Sequence, residues 1–186
     1  EFLKAAARRP FGVATVFPTS RALAERIVEA AASSPREGVV ELGAGTGAIT
    51  RHLLSGARGR VTPREIDPEM ARFLRIQFPE ARVVCSPAEE LGRIIEPRSV
   101  GAVVSSLPWT MLPTLTQERV LGAVRTALVP GGIFATYLCV NAYLHPKART
   151  FVSRLRAHFP RVQEGAVEWR NLPPAVPWFA WTDGPA

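Results

Sequence analysis

Between residues 39 and 50 the chain reads Val39-Val40-Glu41-Leu42-Gly43-Ala44-Gly45-Thr46-Gly47-Ala48-Ile49-Thr50. Two β-branched residues and an acid run into three glycines that alternate with small residues, and a helical stretch follows. Glycine at alternate positions permits a sharp turn and lets a ligand approach the backbone where a Cβ would clash. A helix opening at Ala48 turns its free N–H groups toward that ligand. The G-x-G-x-G spacing differs from the G-x-G-x-x-G of dinucleotide sites, and the Glu41 carboxylate so near the turn would repel a pyrophosphate. It suits a ligand that carries an ammonium group. The competing reading is a purely structural strand-to-helix turn. Glu65 stands 22 positions after Gly43, a distance at which an acid accepts hydrogen bonds from ribose hydroxyls. Ile66 follows it, and Asp67 with Pro68 behind it reads as a helix start.

A second group of candidates stands further along. Ser105-Ser106-Leu107-Pro108-Trp109 places a proline and an aromatic at the end of a strand-like run, which exposes backbone carbonyls and a ring face beside the first site. A turn with a packed Trp109 is the alternative. Ala88 and Glu89 stand just past Pro87 at the junction behind the third strand, where Glu89 reads equally well as a charged helix cap. Tyr137 lies near the end of the fifth strand, and Asn141, Tyr143 and His145 follow at the same sheet edge; His145 reads better as a loop residue without a role. His52 and His158 fall on helices and read as surface residues.

Hydrophobic periodicity supplies the elements that would position these groups. A helix over 21–32 carries Leu23, Ile27 and Ala31 on one face behind an N-cap at Thr19 or Ser20. After the glycine turn come a helix to residue 54 and a strand over 60–66. A helix with Met70, Phe73, Leu74 and Phe78 on one face and a strand over 81–86 follow. Further on are a strand over 100–105, a helix over 116–128 capped by Thr116, and Pro130-Gly131-Gly132 turning into a strand over 133–140. A helix over 147–158 and two strands, 161–170 and 175–182, complete the pattern. Seven strands interleaved with helices predict an α/β fold: a doubly wound, seven-stranded, mostly parallel, Rossmann-like sheet with an N-terminal helical extension. Residues 1–35 are expected to form that extension, contacting a membrane and covering the ligand, and 36–186 the main domain.

With 186 residues, 47% of them hydrophobic, the chain is sized for one domain with a substantial core. A net charge of +7 favours an anionic partner, whether membrane surface or nucleic acid. Lys4 and Lys147 are the only lysines, so arginine carries nearly all the positive charge. Cys85 and Cys139 fall in apolar strand-like segments without partners at metal-ligand spacing. They read as small buried hydrophobes in a reducing cytoplasm, and no metal site is expected. No stretch approaches the roughly 18 to 20 apolar residues of a membrane span. The chain opens at Glu1 rather than Met, so a trimmed start is expected. Residues 1–9, with Phe2, Leu3, Arg8 and Arg9, read as a frayed surface helix or as the remnant of an amphipathic helix on an anionic bilayer.

The acid-plus-glycine turn resembles the S-adenosylmethionine site of class I methyltransferases. Four stretches together resemble the bacterial phospholipid N-methyltransferase family, which converts phosphatidylethanolamine to phosphatidylcholine. They are 12–24 with Phe17-Pro18-Thr19-Ser20-Arg21-Ala22-Leu23-Ala24, the turn from Glu41 to Gly47, Ser105-Ser106-Leu107-Pro108, and Arg170-Asn171-Leu172-Pro173-Pro174-Ala175 with Tyr137 before it. All class I enzymes share the turn; the first and last stretches discriminate. The resemblance implies S-adenosylmethionine as cofactor and S-adenosylhomocysteine as product. The implied cofactor contacts are Ser20, Glu41, Gly43, Ala44, Gly45, Gly47, Glu65, Ile66, Ala88, Glu89 and Ser105. Ser105, Leu107, Trp109 and Tyr137 would surround the transferred methyl group, and Trp109, Tyr137, Tyr143 and Arg170 the lipid head group. Ring faces would hold the increasingly cationic product by about 0.5 to 2 kcal/mol each, and Glu41 or a water path would take the amine proton.

The family's membrane-binding helix implies peripheral attachment to the inner membrane through an anionic phospholipid surface, with a phospholipid substrate; a cytoplasmic monomer with no nucleic-acid partner is expected. Pro87 occupies the place where class I enzymes often carry an Asp for the adenine amino group. The main rival is an adenine N6-methyltransferase of ribosomal RNA, whose Asn-Leu-Pro-Tyr stretch holds the amino group with Asn or Asp; this chain has Ser105 there. Intact Gly43, Gly45, Gly47 and Glu65 argue against a non-catalytic membrane module that merely keeps the fold.

Overall fold

The computed structural model describes residues 19–35, 38–57 and 59–184. The helix expected at 1–9 and most of the 12–24 stretch lie outside the described residues, as do parts of the turns expected at 33–37 and 56–59. Seven strands form one sheet: β1 (Val39–Leu42), β2 (Val61–Glu65), β3 (Val84–Cys85), β4 (Val100–Ser105), β5 (Leu128–Cys139), β6 (Arg161–Glu164) and β7 (Ala175–Trp181). Their order is β3-β2-β1-β4-β5-β7-β6. The first five are parallel, and β7 runs antiparallel between β5 and β6. Strand order reverses between β1 and β4. At that switch point the glycine turn after β1 lies beside the loop after β4, on the carboxyl edge where open α/β sheets bind ligands.

Among the described residues six helices cover the two faces: α1 (Arg21–Ala32), α2 (Ala48–Gly56), α3 (Pro68–Gln77), α4 (Leu91–Ile94), α5 (Thr114–Ala127) and α6 (Pro146–His158). Strand alternation decides which residues meet which layer. Val39, Val104 and Ala135 pack with Leu23 and Ile27 of α1 and Ile49 and Leu53 of α2. Val40, Leu42 and Phe134 face Leu91, Val120, Phe151 and Leu155 of α4, α5 and α6. Each fully buried Leu or Ile contributes roughly 1.5 to 3 kcal/mol. Helix α1 is therefore a structural layer of the sheet. Its cap is Ser20, whose Oγ accepts from the Leu23 N–H at 3.3 Å. Asp67 caps α3 as expected, accepting from the Glu69 and Met70 N–H groups at 2.8 and 3.3 Å, with Pro68 at the first helical position.

Several boundaries differ from expectation. Helix α5 starts at Thr114 directly behind Pro113, so Thr116 lies inside its first turn and is not its cap. Strand β5 begins five residues early at Leu128. β6 ends at Glu164: Gly165 N–H still donates to the Pro177 carbonyl at 2.8 Å, but Pro177 has no N–H to return the bond and the ladder stops. Strand β3 pairs over only two residues at the sheet edge. With no strand outside it, Cys85 is exposed, and Cys139 at the end of β5 is half-buried, so the expectation of two buried cysteines is corrected.

Candidate active site

All three glycines of the turn have positive φ: 74° at Gly43, 53° at Gly45 and 81° at Gly47. Their surroundings separate their jobs. A Cβ on Gly47 would collide with the Phe78 ring, and one on Gly43 would press Leu107 Cδ2 at 3.1 Å; beside Gly45 nothing lies within 4 Å. Gly47 thus permits α2 to pack, Gly43 lets the β4 loop approach, and Gly45 borders open space. Within the turn itself, ahead of the helix opening at Ala48, the amides are already bonded. The Gly43 and Ala44 N–H groups donate to the Arg64 carbonyl at 2.9 and 3.1 Å, and Gly47 N–H to the Ala44 carbonyl at 2.8 Å. Gly45 N–H donates to Glu65 Oε2 at 2.8 Å.

Glu65 closes β2 beside this turn. Its Oε1 also accepts from the Ile66 and Asp67 N–H groups at 2.9 and 3.0 Å. A carboxylate offers about four acceptor positions, so these three bonds fix its orientation and leave capacity for one more donor. Ile66, next to it, is 67% exposed. Behind β3, Ala88 opens a single 3₁₀ turn with its side chain half-buried, while Glu89 is exposed.

Glu41 is fully buried. Its Oε2 accepts from the Thr50 hydroxyl at 2.5 Å, and Oε1 has no partner. Burial raises its pKa to about 8, opposed by the Thr50 bond and reinforced by the Glu65 charge. The carboxyl is therefore mainly protonated at neutral pH, and an arriving cation would favour its ionised form. Arg64, on the opposite face of β2, carries a role that sequence reasoning missed. It is buried, and its Nη2 donates to Ser86 Oγ at 2.6 Å and the Pro87 carbonyl at 2.9 Å, fixing the junction behind β3. Nε and Nη1 have no partner. Burial lowers the guanidinium pKa, against the pull of Glu90. The available signal was alternation, which sets Arg64 opposite Glu65.

The second group of candidates divides. Ser105 is buried, its Oγ accepting from the Leu107 N–H at 3.2 Å. Leu107 reaches over Gly43. Trp109 is corrected from an open ring face to a packed ring: it is 1% exposed, stacked on Phe151 at 4.7 Å and edge-on to Phe134 at 6.0 Å. Its Nε1 donates to Thr136 Oγ1 at 2.9 Å, and the Thr136 hydroxyl donates to the Ser105 carbonyl at 2.9 Å. The loop carbonyls are also partly used, since Leu107 accepts from Trp109 N–H at 2.9 Å and Pro108 from Met111 N–H at 2.8 Å.

Tyr137 sits on the α1 and α2 face, buried, its hydroxyl bonded to Thr19 Oγ1 at 3.0 Å. Burial raises the phenol pKa against bonds from Thr19 and Ser106. Ser20 N–H donates to Asn171 Oδ1 at 2.8 Å, and Asn171 Nδ2 donates to the Pro173 carbonyl at 2.6 Å. The two discriminating stretches therefore meet across 151 positions, with Ser20 donating its N–H to Asn171 and accepting from Leu23 N–H at Oγ. Tyr143 packs instead against the α4 to α6 face, its hydroxyl accepting from Trp178 Nε1 at 2.7 Å, so it shares no ring pocket with Tyr137. Arg170 is exposed, and its Nε pairs with Glu168 Oε1 at 3.1 Å. His158 is more than a lone surface residue: it bonds Glu118 Oε2 at 2.7 Å, while Arg154 Nε holds Glu118 Oε1 at 3.0 Å.

Residues 39–132 match the Methyltransferase domain family. Over 175 residues the chain is 31% identical to an ornithine lipid N-methyltransferase of Singulisphaera acidiphila, covering 90% of this chain and 87% of that protein. The chain belongs to the class I S-adenosylmethionine-dependent methyltransferases. This methyltransferase is also 37% identical to ribosomal RNA small subunit methyltransferase A of Chlorobium phaeobacteroides over 68 residues, spanning 37% of this chain and 25% of that one. In fold it is similar to a SAM-dependent O-methyltransferase of Thermotoga maritima, with TM-score 0.69 and 15% identity over 100% of this chain and 72% of the other.

The cofactor half of the methyltransferase fits S-adenosylmethionine. If these residues hold it, the orphaned Glu41 oxygen would meet its ammonium, the remaining acceptor capacity of Glu65 its ribose hydroxyls, and exposed Ile66 with Ala88 and Glu89 its adenine. The space beside Gly45 admits the close approach.

Proposed function

We propose that this methyltransferase transfers methyl groups to the amine of a membrane aminolipid, converting phosphatidylethanolamine and its mono- and dimethyl derivatives toward phosphatidylcholine at an anionic membrane surface. The observation that carries this reading is the tie of Thr19 and Ser20 to Tyr137 and Asn171, which joins the two lipid-type stretches to each other. The nearly full-length similarity to an ornithine lipid N-methyltransferase supports a lipid amine, and it favours the ornithine lipid head group as a second reading. The ribosomal RNA relatives cover a minor part of the chain or about half of it. Where an adenine-methylating enzyme needs an amide or acid, the Ser105 hydroxyl accepts the Leu107 N–H.

S-adenosylmethionine supplies a methyl group already activated on sulfonium. The chain's own work is to bring a neutral amine into line and keep water out, positioning worth on the order of 7 to 11 kcal/mol in the best intramolecular cases. Tyr137 remains a neutral phenol because burial opposes its ionisation, so it acts as a hydrogen-bonding wall and not as a base. The Nη groups of Arg170 are the donors for a lipid phosphate, since the Glu168 pair engages Nε. The enzyme works from the cytoplasm as a peripheral, monomeric protein; among the described residues no helix is long and apolar enough to cross a membrane.

The test is incubation with radiolabelled S-adenosylmethionine and, separately, vesicles containing phosphatidylethanolamine, vesicles containing ornithine lipid, and ribosomal RNA. Label in phosphatidylethanolamine is expected; label in ornithine lipid alone would replace the head group, and label in RNA alone would end the lipid reading.

A further inference from the structure

Eight large hydrophobic side chains are exposed among the described residues. Phe73 and Ile76 lie on α3. The other six, Ile66, Met111, Leu115, Leu144, Trp169 and Leu172, follow the carboxyl ends of β2, β4 and β5 or precede the start of β7. Because β7 is antiparallel to β5, its start lies at the same end of the sheet, with Ala175 opposite Cys139. The topology therefore gathers six of the eight on the edge that carries the active site. Ile66 is accounted for by the cofactor. The most exposed of the rest are Leu144 at 83% and Trp169 at 72%, with Leu172 at 59%.

These three sit on two turns that leave the sheet side by side. Val140 N–H donates to the Pro174 carbonyl at 2.7 Å, which ties the 140–144 turn to the 169–174 turn. The second turn is held from within: Glu168 bridges Ala175, and Asn171 is buried between exposed Trp169 and Leu172. A turn built this way presents Trp169 and Leu172 outward at a fixed place. Cations accompany them. Arg170 stands between the two apolar residues, and exposed Lys147 and Arg149 open α6 just after Leu144. The acid on the same turn, Glu168, is buried and paired with Arg170. An indole and leucines among arginines and a lysine complement an anionic lipid–water interface, where aromatic rings sit at head-group level and each nearby basic residue adds attraction.

We infer that the carboxyl edge docks on an anionic bilayer through Trp169, Leu172 and Leu144, flanked by Lys147 and Arg149, so that the active site opens onto the head groups. This rests on the lipid reading of the function and adds to it a surface and an orientation. Docked in this way, the protein meets the amine at head-group depth without drawing the lipid out of the membrane.

The experiment uses the full chain and vesicles of phosphatidylglycerol with phosphatidylethanolamine, some carrying brominated acyl chains. Brominated chains are expected to quench the tryptophan emission of the wild-type protein, and Trp169→Phe is expected to remove most of that quenching. Trp169→Ala with Leu172→Ala is expected to weaken vesicle binding by tenfold or more at unchanged S-adenosylmethionine binding, and Lys147→Glu with Arg149→Glu to weaken it on anionic vesicles. Quenching that persists in Trp169→Phe, or unchanged vesicle binding by the Trp169 and Leu172 double variant, would overturn the inference. A dispersed short-chain phosphatidylethanolamine separates the two levels. Docking requires that the double variant methylate it at the wild-type rate while losing turnover on vesicles; equal loss on both overturns docking. If the wild-type protein methylates neither form yet binds vesicles through Trp169, docking stands and the substrate assignment falls.

Discussion

In the cofactor half of the site, partners are near neighbours in sequence: Glu41 bonds Thr50 across 9 positions, Gly45 bonds Glu65 across 20, and Arg64 bonds Ser86 across 22. In the acceptor half, Thr19 bonds Tyr137 across 118 positions and Ser20 bonds Asn171 across 151. The halves also differ in completeness. Among the described residues, every buried side-chain nitrogen or oxygen without a partner lies in the cofactor half, on Glu41 or Arg64. Such groups cost about 1 to 3 kcal/mol each, and a ligand that satisfies one recovers part of that in binding. In the acceptor half the buried polar side chains are already paired before any substrate arrives, and the exposed Arg170 keeps its Nη groups for one. One half is therefore tuned by ligand and pH, and the other by distant segments that must stay together.

The largest expected effect asks whether the acceptor half includes Trp109 at all. Trp109→Ala should destabilise the protein by roughly 3 to 5 kcal/mol in denaturant unfolding, because the ring fills a core between Phe134 and Phe151. A variant of wild-type stability with impaired lipid methylation would return Trp109 to the substrate pocket.

Next come the glycines. Gly47→Ala meets both the Phe78 ring and a φ of 81°, and should cost about 2 to 3 kcal/mol of stability. Gly45→Ala meets only its φ of 53°, since nothing lies within 4 Å. It should cost about 1 kcal/mol yet lower S-adenosylmethionine affinity at least tenfold by calorimetry. Equal affinities for Gly45→Ala and the wild type would mean that the space beside Gly45 is not the ligand's.

Glu41 sharpens the comparison through pH. Its carboxyl is raised from 4.5 to about 8 in the folded protein, so the native state holds a proton that the unfolded chain releases between those values. Stability without ligand should fall as pH rises through this window, by roughly 5 kcal/mol in total. Glu41→Gln should flatten that slope while weakening cofactor binding about 10- to 100-fold. Wild-type binding near pH 7 should also release a proton, measurable by calorimetry in buffers of different ionisation enthalpy.

The smallest effects test the acceptor half alone. Asn171→Ala should leave cofactor affinity unchanged and lower kcat/KM for the lipid about tenfold, equivalent to about 1.4 kcal/mol. Tyr137→Phe, which removes one hydrogen bond worth about 0.5 to 1.5 kcal/mol, should cost a few-fold. Loss of cofactor affinity in either variant would show that the halves are coupled.

The fold was legible in the sequence wherever a pattern was local. Apolar spacing marked α1 at 21–32 and β4 at 100–105, and Asp67-Pro68 marked the start of α3. The glycine turn and Glu65 were found for the same reason: their chemistry is a matter of residue type and short spacing. The edge position of β3, and with it the exposure of Cys85, was hidden because burial depends on what lies outside a strand.

The sequence by itself determined the doubly wound sheet and the cofactor turn, since alternation, helical periodicity and glycine spacing act over a few residues; the resemblance of its motifs pointed to a methyltransferase, which the relatives bear out. Only the tertiary structure decided that Trp109 is packed, that Tyr137 and Tyr143 face opposite sides of the sheet, and that Glu41 is buried, which pushes its carboxyl pKa up. It alone joined Ser20 to Asn171. The physical reason is that burial, pKa and partnership are set by whatever the fold brings within a few ångströms, and here those neighbours come from segments more than a hundred positions apart.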